Sequence, residues 1–325
     1  SDDADVEGDS PPPRRAAGDP AVVPASLLGI AVTADSPAAV SPQMPEPARE
    51  ETAVAAVVDT PTAQPPVRDP DAPASVIETL ESGDLSVLPK ATQLLERGAI
   101  DWKEKVAAAI ASITSNSVDR DGRTKAAIGE AGAIPSLAAL LRGAMSETQK
   151  QAARALHNLT SKNAMNKNRV IEAGAVPRLL FLMKQGAPPV REQAVGVLRN
   201  LTGNSSPENK AAVASEMAIP SLLTVLKMVE PHVQAHIAVI LYNLANKSEE
   251  RRVAVAAANG IPAMIELMAG GVPQVQKEAV DTLRVLATGS RQLCMDAAAG
   301  GVLTPLATML KSDDGDAKKR AALFR

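Results

Sequence analysis

The sequence has very few aromatic residues and a single cysteine. Trp, Tyr and Phe together make up 1% of the 325 residues, although 45% of the chain is hydrophobic. A core must therefore be built from Ala, Leu, Ile, Val and Met, which favours close-packed helices over a sheet sandwich. The lone Cys294 excludes an internal disulfide and fits a reducing compartment.

Long apolar runs and catalytic motifs are also missing. No run approaches the roughly 20 apolar residues that span a bilayer as a helix. The chain has neither a phosphate-binding loop ending in Gly-Lys-Ser/Thr nor a Gly-x-Ser-x-Gly elbow. No Cys, Asp or Glu accompanies His157, His232 and His236 at metal-ligand spacing. We therefore expect no enzymatic activity, no metal and no cofactor. The scarcity of aromatic side chains for base stacking predicts no nucleic-acid partner.

Charge divides the chain into two parts. Residues 1–74 contain 14 of the 25 prolines, 13 acidic residues and four basic residues, a net charge of −9. The rest carries 30 basic and 24 acidic residues, a net charge of +6. The first part is rich in Pro and Ala and lacks aromatics, so it buries too little apolar surface to offset its ordering entropy. We predict a disordered acidic tail over residues 1–74 and a folded domain over residues 75–325.

An internal repeat organises the folded domain. Prolines recur 42, 43 and 42 residues apart, and leucines follow on the same spacing. The proline column is Pro135, Pro177, Pro220 and Pro262, with Pro89 one unit earlier and Thr304 one unit later; the leucine column is Leu156, Leu198, Leu241 and Leu283. Two independent columns on one spacing indicate six units.

Each unit predicts three helices. We expect a short first helix, such as residues 166–174, a middle helix that starts at the proline, and an amphipathic third helix. The turn before the proline carries Gly132, Gly174, Asn259 and Gly301 in one column. Gly and Asn tolerate the left-handed conformation that ends a helix; Met217 breaks the column, so its turn should differ. One unit cannot bury its apolar face alone, but a stack shares one core.

The period near 42, the Gly-Ala-Ile/Val-Pro turn and the Ala-Leu-x-Asn-Leu end of the third helix resemble armadillo repeats over about residues 77–325. Within that family the chain resembles the yeast vacuolar armadillo protein and the plant armadillo proteins that often carry a U-box more than importin-α, because Arg154, Gly196 and Val239 replace the Trp column of importin-α. The resemblance implies an all-α, right-handed α-solenoid of about six repeats, a concave groove lined by third helices, and protein binding. Because the chain begins at Ser1 and the last repeat stops inside its third helix, we expect both ends to continue in a longer protein.

An asparagine column lies near the end of the third helices. Its members are Asn158, Asn200 and Asn243, with Ser112 before them and Val285 after them. An amide offers donors and an acceptor. The column could therefore bracket the backbone of an extended peptide, which is what the armadillo resemblance implies for this position. The alternative is hydrogen bonding at helix ends or between repeats.

Basic and polar residues flank the column. They are Arg154, Lys150 and Lys277 at helical spacing from it, and His157, Arg199, Tyr242 and Arg284 just before it. With the charge of +6, they favour a partner that is acidic or phosphorylated. We predict a non-catalytic scaffold that binds an extended acidic peptide through these arginines, His157, Tyr242 and the asparagines.

Three alternatives depend on the resemblance. One is the substrate-recruiting part of a ubiquitin ligase, another is a membrane-tethering adaptor with an N-terminal acylation signal, and the third, a nuclear-import adaptor, is disfavoured by the missing Trp column. We expect a monomer in the cytoplasm or nucleus, and the sequence leaves membrane attachment open.

Overall fold

The computed structural model describes residues 69, 71–115, 118–119, 122–143, 145–214 and 218–324. In these residues all regular structure is helical: eighteen α-helices and one 3₁₀ turn, Leu85–Val87. They form six consecutive units of three helices. The predicted acidic tail lies outside the described residues except for position 69 and positions 71–74. The first helix begins at Pro73, two residues before the start predicted for the folded domain.

The helices are numbered in chain order. The first helices of the units are α1 (Pro73–Glu81), α4 (Arg123–Glu130), α7 (Ala164–Glu172), α10 (Pro207–Val213), α13 (Glu249–Ala257) and α16 (Arg291–Ala299). The second helices are α2 (Leu88–Arg97), α5 (Ala133–Leu140), α8 (Val176–Gln185), α11 (Ala218–Leu226), α14 (Gly260–Gly270) and α17 (Leu303–Lys311). The third helices are α3 (Ile100–Ile113), α6 (Ser146–Thr160), α9 (Pro188–Thr202), α12 (Pro231–Ala245), α15 (Pro273–Ala287) and α18 (Gly315–Ala322).

Local sequence sets where these helices start. Polar side chains cap the first helices: Asn163 accepts a hydrogen bond from the backbone of Asn166 at 3.0 Å, and Ser248 does so from Arg251 at 3.3 Å. The prediction that the second helices start at their proline was wrong by one or two residues. For example, α5 begins at Ala133, two residues before Pro135. Proline is tolerated throughout the first turn, because the backbone N–H groups there have no intrahelical acceptor.

The turn between the first and second helices has the predicted conformation. Gly132 has φ 81° and Asn259 has φ 65°, so both are left-handed and end the preceding helix. Gly174 and Gly301 also have positive φ. The predicted different turn at Met217 lies outside the described residues.

One continuous core joins all six units. Each third helix packs against the third helix of the next unit, from α3 through α6, α9, α12 and α15 to α18. The predicted leucine column is fully buried at Leu156, Leu198, Leu241 and Leu283. The rest of the core consists of further leucines with Ala, Val, Ile and Met, and Trp102 and Tyr242 only pack against its edge. The solenoid therefore buries its core without a central aromatic residue.

Among the described residues, no single helix is both long and apolar enough to cross a membrane. Two bent pairs, α13 with α14 and α16 with α17, reach that length and composition only when each pair is taken together, across bends of 73° and 77°.

Candidate functional site

The asparagine column forms a row across three neighbouring third helices. Asn158, Asn200 and Asn243 lie near the C-terminal ends of α6, α9 and α12, and all three are half-buried. We call them the asparagine row, and the face formed by the third helices the third-helix surface. Because these helices pack side by side, the row runs along that surface.

Each amide of the row is also tied to the preceding third helix. Asn158 Nδ2 donates to the Ala111 carbonyl at 2.7 Å, and Asn200 Nδ2 donates to the His157 carbonyl at 2.9 Å and to Thr160 Oγ1 at 3.2 Å. Asn243 Nδ2 has only a longer contact of 3.4 Å, with Thr202 Oγ1. The row therefore makes the inter-repeat hydrogen bonds that were the alternative interpretation. What remains for a partner is mainly the Oδ1 acceptors and the amide of Asn243.

The row stops at Asn243. Its next position is Val285, which is buried. One turn earlier on α15, Thr282 Oγ1 shares its one proton between the Ala238 carbonyl of α12 at 2.9 Å and the Glu278 carbonyl of its own helix at 2.7 Å, and so keeps a contact between the two repeats. Stacking of the repeats thus continues beyond the row, but the series of asparagine amides does not.

These contacts predict different stability costs along the row. Asn200→Ala should lower the free energy of unfolding by about 1 kcal/mol, because it removes two inter-repeat hydrogen bonds. Asn243→Ala should lower it by only about 0.3 kcal/mol, because its single bond is long. Urea denaturation followed by circular dichroism measures both. Equal costs for the two variants would contradict this assignment.

Two cavities adjoin the end of the row. The first, which we call the inner cavity, encloses about 390 Å³; it is lined by Ser161, Lys162, Lys167, Arg199, Asn200, Gly203, Asn204, Val239 and Asn243. The outer cavity encloses about 440 Å³; it is lined by Asn204, Ser205, Pro207, Lys210, Tyr242, Asn243, Asn246, Lys247 and Arg251. They share Asn204 and Asn243. The two linings together contain six cationic side chains and no carboxylate.

The structure brings together four of the eight predicted site residues. Arg199, Asn200 and Asn243 line the inner cavity, and Tyr242 and Asn243 line the outer one. Asn158, Arg154, His157 and Arg284 line neither cavity, although each lies on a third helix.

Of the four predicted residues that line neither cavity, Arg154 and His157 contact the neighbouring third helix. Arg154 Nη2 donates to the Ala108 carbonyl of α3 at 3.5 Å. His157 lies between α6 and α9, where its Nδ1 is 3.1 Å from Gln193 Oε1. A Cβ atom at Gly196 would come within 2.7 Å of its imidazole Cε1. Gly196, which stands in the column where importin-α has Trp, makes room for this ring.

Toward the C-terminal end, the cations of the third-helix surface are paired within the chain. Lys277 Nζ lies 2.9 Å from Asp314 and 3.5 Å from Asp316, and Arg284 Nε lies 4.0 Å from Asp281. The bond to Asp314 raises the pKa of Lys277. Lys150 is likewise paired with Glu147 at 3.1 Å. These paired cations contrast with the two cavities, whose linings contain no carboxylate.

A row of basic residues on the first helices escaped the sequence analysis. Lys125, Lys167, Lys210 and Arg252 are spaced 42, 43 and 42 residues apart, which was the available signal. Lys167 is 6% exposed, and its Nζ donates to the Gly203 carbonyl and, at 3.4 Å, to Ser205 Oγ. Gly203 follows α9, so the lysine satisfies a carbonyl at the C-terminal end of its own unit's third helix.

Burial lowers the pKa of Lys125, Lys167 and Lys210. Lys167→Met should lower the free energy of unfolding by about 1 kcal/mol, because it keeps the packing of the stem but leaves the Gly203 carbonyl without its donor. Lys319→Met, at an exposed position, should be neutral. Thermal denaturation of the two variants checks this; a neutral Lys167→Met would show that the carbonyl does not need the lysine.

Two histidines, His157 and His236, lie close enough to Arg199 of the inner cavity to be affected by its charge. Burial lowers the pKa of His236 to about 4, and the positive charge of Arg199 contributes to the shift. Burial also lowers the pKa of His157. Both imidazoles are therefore neutral at pH 7, and the positive charge here comes from lysine and arginine.

The low pKa of His236 predicts that the folded chain becomes less stable as the pH is lowered. Between pH 6.5 and pH 4 the unfolded chain binds a proton at this position that the folded chain does not bind. After a discount for screening of the partly exposed ring, the free energy of unfolding should decrease by on the order of 2 kcal/mol between pH 7 and pH 4. His236→Gln should remove most of this decrease. Urea denaturation at several pH values tests the prediction, and an unchanged pH profile in the variant would refute it.

Comparisons with known proteins agree with this architecture. The family model described as Armadillo/beta-catenin-like repeat matches residues 123–161, 163–203 and 248–288. Each match covers one complete three-helix unit. Three of the six units are therefore armadillo repeats, as the sequence resemblance predicted. No curated protein is significantly similar to it in sequence.

Solved structures show the same fold. One engineered protein is 28% identical, with a TM-score of 0.66 over 72% of this chain and 95% of its own. A second engineered protein is 25% identical, with a TM-score of 0.68 over 77% of this chain and 62% of its own. A designed armadillo repeat protein in complex with the peptide (KR)4 is 23% identical, with a TM-score of 0.65 over 73% of this chain and 97% of its own. These matches confirm the predicted right-handed α-solenoid.

Proposed function

We propose that this chain is a non-catalytic scaffold that binds an extended acidic segment of another protein along its third-helix surface. The observation that carries the proposal is the pair of neighbouring cavities at the end of the asparagine row, which share Asn204 and Asn243. Their linings hold six lysine and arginine side chains and no carboxylate. A surface of this kind favours anionic partners and speeds their association.

The asparagine row supplies contacts to the partner's backbone. An extended segment has N–H and C=O groups that need partners when they leave water. The Oδ1 atoms of the row can accept from its N–H groups, and Asn243 retains an amide N–H for its carbonyls. Each such neutral hydrogen bond contributes about 1 kcal/mol, so the row alone gives weak binding.

Charge then provides the selection. Arg199 is half-buried in the inner cavity beside Asn200 and Asn243. Its guanidinium can bind a carboxylate through two parallel hydrogen bonds, which are stronger than neutral ones. The designed armadillo repeat protein that was solved with (KR)4 holds a basic peptide. The cationic cavities of this chain support the opposite preference.

The proposal is tested by capturing partners from a cell lysate with the full chain and with Asn243→Ala. Asn243 makes the weakest inter-repeat contact of the row, so the variant should retain the fold. Gln274→Ala is the matched control, because it removes an exposed amide whose only partner among the described residues is Glu278, on the same helix. We expect partners rich in Asp and Glu to be lost with Asn243→Ala and kept with the control. Retention of the same partners by both variants would exclude the row from binding.

The two alternative functions, the recruiting part of a ubiquitin ligase and a membrane tether, stay predictions, and so do the monomeric state and the cytoplasmic or nuclear location. No described residue distinguishes between the two functions, and the captured partners would indicate which one holds.

A further inference from the structure

Most of the hydrogen-bond donors that line the outer cavity lie outside the asparagine row. Its cations come from three elements: Lys210 from α10, Lys247 from the turn after α12, and Arg251 from α13. Tyr242 and the amides of Asn204 and Asn246 complete a polar lining. The volume of about 440 Å³ exceeds what one carboxylate side chain requires.

The three cations are held together without compensation. Arg251 Nε donates to the Leu244 carbonyl at 2.7 Å, which fixes its guanidinium at the cavity. Among the described residues, neither Lys210 nor Lys247 has an ion-pair partner. Burial lowers the pKa of Lys210, and the positive charges of Arg251 and Lys247 lower it further. The three cations therefore repel one another when no anion is bound. The nearby Glu249 and Glu250 are exposed and do not line it.

The turn after α12 helps to place Lys247 beside the other two cations. Lys247 has φ 64°, an unfavourable left-handed conformation for a lysine, and Lys162, Asn204 and Gly289 occupy the equivalent left-handed positions of the other repeats. The chain therefore places lysine where asparagine or glycine would be less strained, beside two further cations. Strain and repulsion at one point indicate a site that is completed by an anion.

We propose that the outer cavity binds the phosphate of a phosphorylated serine or threonine in the segment held by the third-helix surface. The inference rests on the proposed function and names its preferred ligand. A phosphate monoester carries about −1.5 to −2 charges at pH 7 and three acceptor oxygens, against one charge and two oxygens for a carboxylate. Three cations with Tyr242 and the amides match the larger demand.

The cavity's position favours a peptide over a lipid headgroup. Because Asn243 lines both cavities, a segment held by the row passes the mouth of the outer one. None of the lining residues is among the exposed large apolar side chains that would enter a bilayer. A membrane phosphoinositide is therefore the alternative that the test must separate.

The test uses the full chain and three degenerate nine-residue peptide libraries, with phosphoserine, glutamate or serine at the centre. The double variant Lys210→Gln/Lys247→Asn removes two of the cations, and asparagine suits the left-handed position because Asn204 occupies it elsewhere. Lys318→Gln/Lys319→Gln removes the same charge from exposed positions of α18. Circular dichroism confirms folding, and fluorescence anisotropy measures affinity.

We expect the phosphoserine library to bind at least about tenfold more tightly than the serine library, with the glutamate library between them. The double variant should lose this preference and the control should keep it. Asn200→Ala should weaken all libraries alike, because Asn200 lines only the inner cavity, and this separates failure of the row from failure of the outer cavity.

Equal affinity for phosphoserine and glutamate, or a preference that survives the double variant, would overturn the inference while leaving the proposed function intact. So would binding confined to vesicles that contain phosphatidylinositol phosphates and lost in the double variant. Failure of every library to bind, with partners still captured through Asn243, would equally reject the phosphate site.

Discussion

Replacing Gly129 with alanine is expected to destabilise the repeat array by about 3 kcal/mol, although alanine is ordinarily the better helix former. Gly129 lies in α4, and a Cβ atom there would come within 2.8 Å of Asn166 Cγ and 3.0 Å of Arg169 Nη1. Asn166 is fully buried; its Nδ2 donates to the Lys125 carbonyl at 2.8 Å and to the Leu159 carbonyl at 3.1 Å. The new methyl group must displace this amide from a joint between two repeats.

Gly270→Ala is the matched control. Gly270 ends α14, and a Cβ there meets nothing within 4 Å, so the substitution should be neutral or slightly stabilising. Urea denaturation followed by circular dichroism compares both variants with the wild type. If Gly129→Ala unfolded at the wild-type midpoint, the packing of α4 against α7 would differ from that described.

Reversing the charge of Arg199 should abolish binding of acidic partners. Arg199→Glu puts a carboxylate beside Asn200 and Asn243 in the inner cavity, where an acidic segment would meet repulsion instead of a paired cation. We expect the affinity for the captured acidic partner to fall at least about 100-fold, which corresponds to about 2.7 kcal/mol. Fluorescence anisotropy or calorimetry measures the change.

The control for this variant is Arg142→Glu, which makes the same charge change at an exposed position in the turn after α5. It should leave the affinity within about twofold, because screening removes most of a distant surface charge. A second readout checks that Arg199 acts where the structure places it. Its charge helps to lower the pKa of His236, so the variant should raise that pKa in an NMR titration. Unchanged affinity in Arg199→Glu would remove the inner cavity from the binding site.

The stacking of the solenoid could be predicted because it follows from repeated local chemistry. A residue such as Gly132 marks the left-handed turn, Pro135 marks the first turn of the next helix, and Leu156 marks the buried face. Each signal acts within one repeat, so the period exposes it without knowledge of how repeats contact one another. The start of the second helix was misplaced because proline is accepted at several positions of the first turn.

The detailed site could not be predicted because it depends on contacts between repeats. The sequence indicated Asn200 but not that its amide hydrogens are used on the His157 carbonyl and Thr160. It indicated the absence of Trp at Gly196 but not that the His157 ring takes the space. Each fact depends on the offset between adjacent helices, which no single repeat encodes.

Periodicity could have revealed one further feature. Lys167 belongs to a basic column with the same spacing as the prolines, but a lysine on a short helix is ordinarily solvated. Only its bond to the Gly203 carbonyl of the same unit distinguishes it from a surface residue. Lys277 shows the reverse case, since Asp314 and Asp316 from the following helix neutralise a cation that the sequence placed on the groove.

The sign of charge that the third-helix surface prefers is the central claim, and one titration tests it directly. Fluorescein-labelled (Asp-Glu)4 and (Lys-Arg)4 peptides are titrated with the full chain at low and at physiological ionic strength. We predict that the acidic peptide binds, that its affinity falls with added salt, and that the basic peptide does not bind at either ionic strength. Tighter binding of (Lys-Arg)4 would contradict the claim and would show that this surface behaves like that of the designed protein solved with a basic peptide.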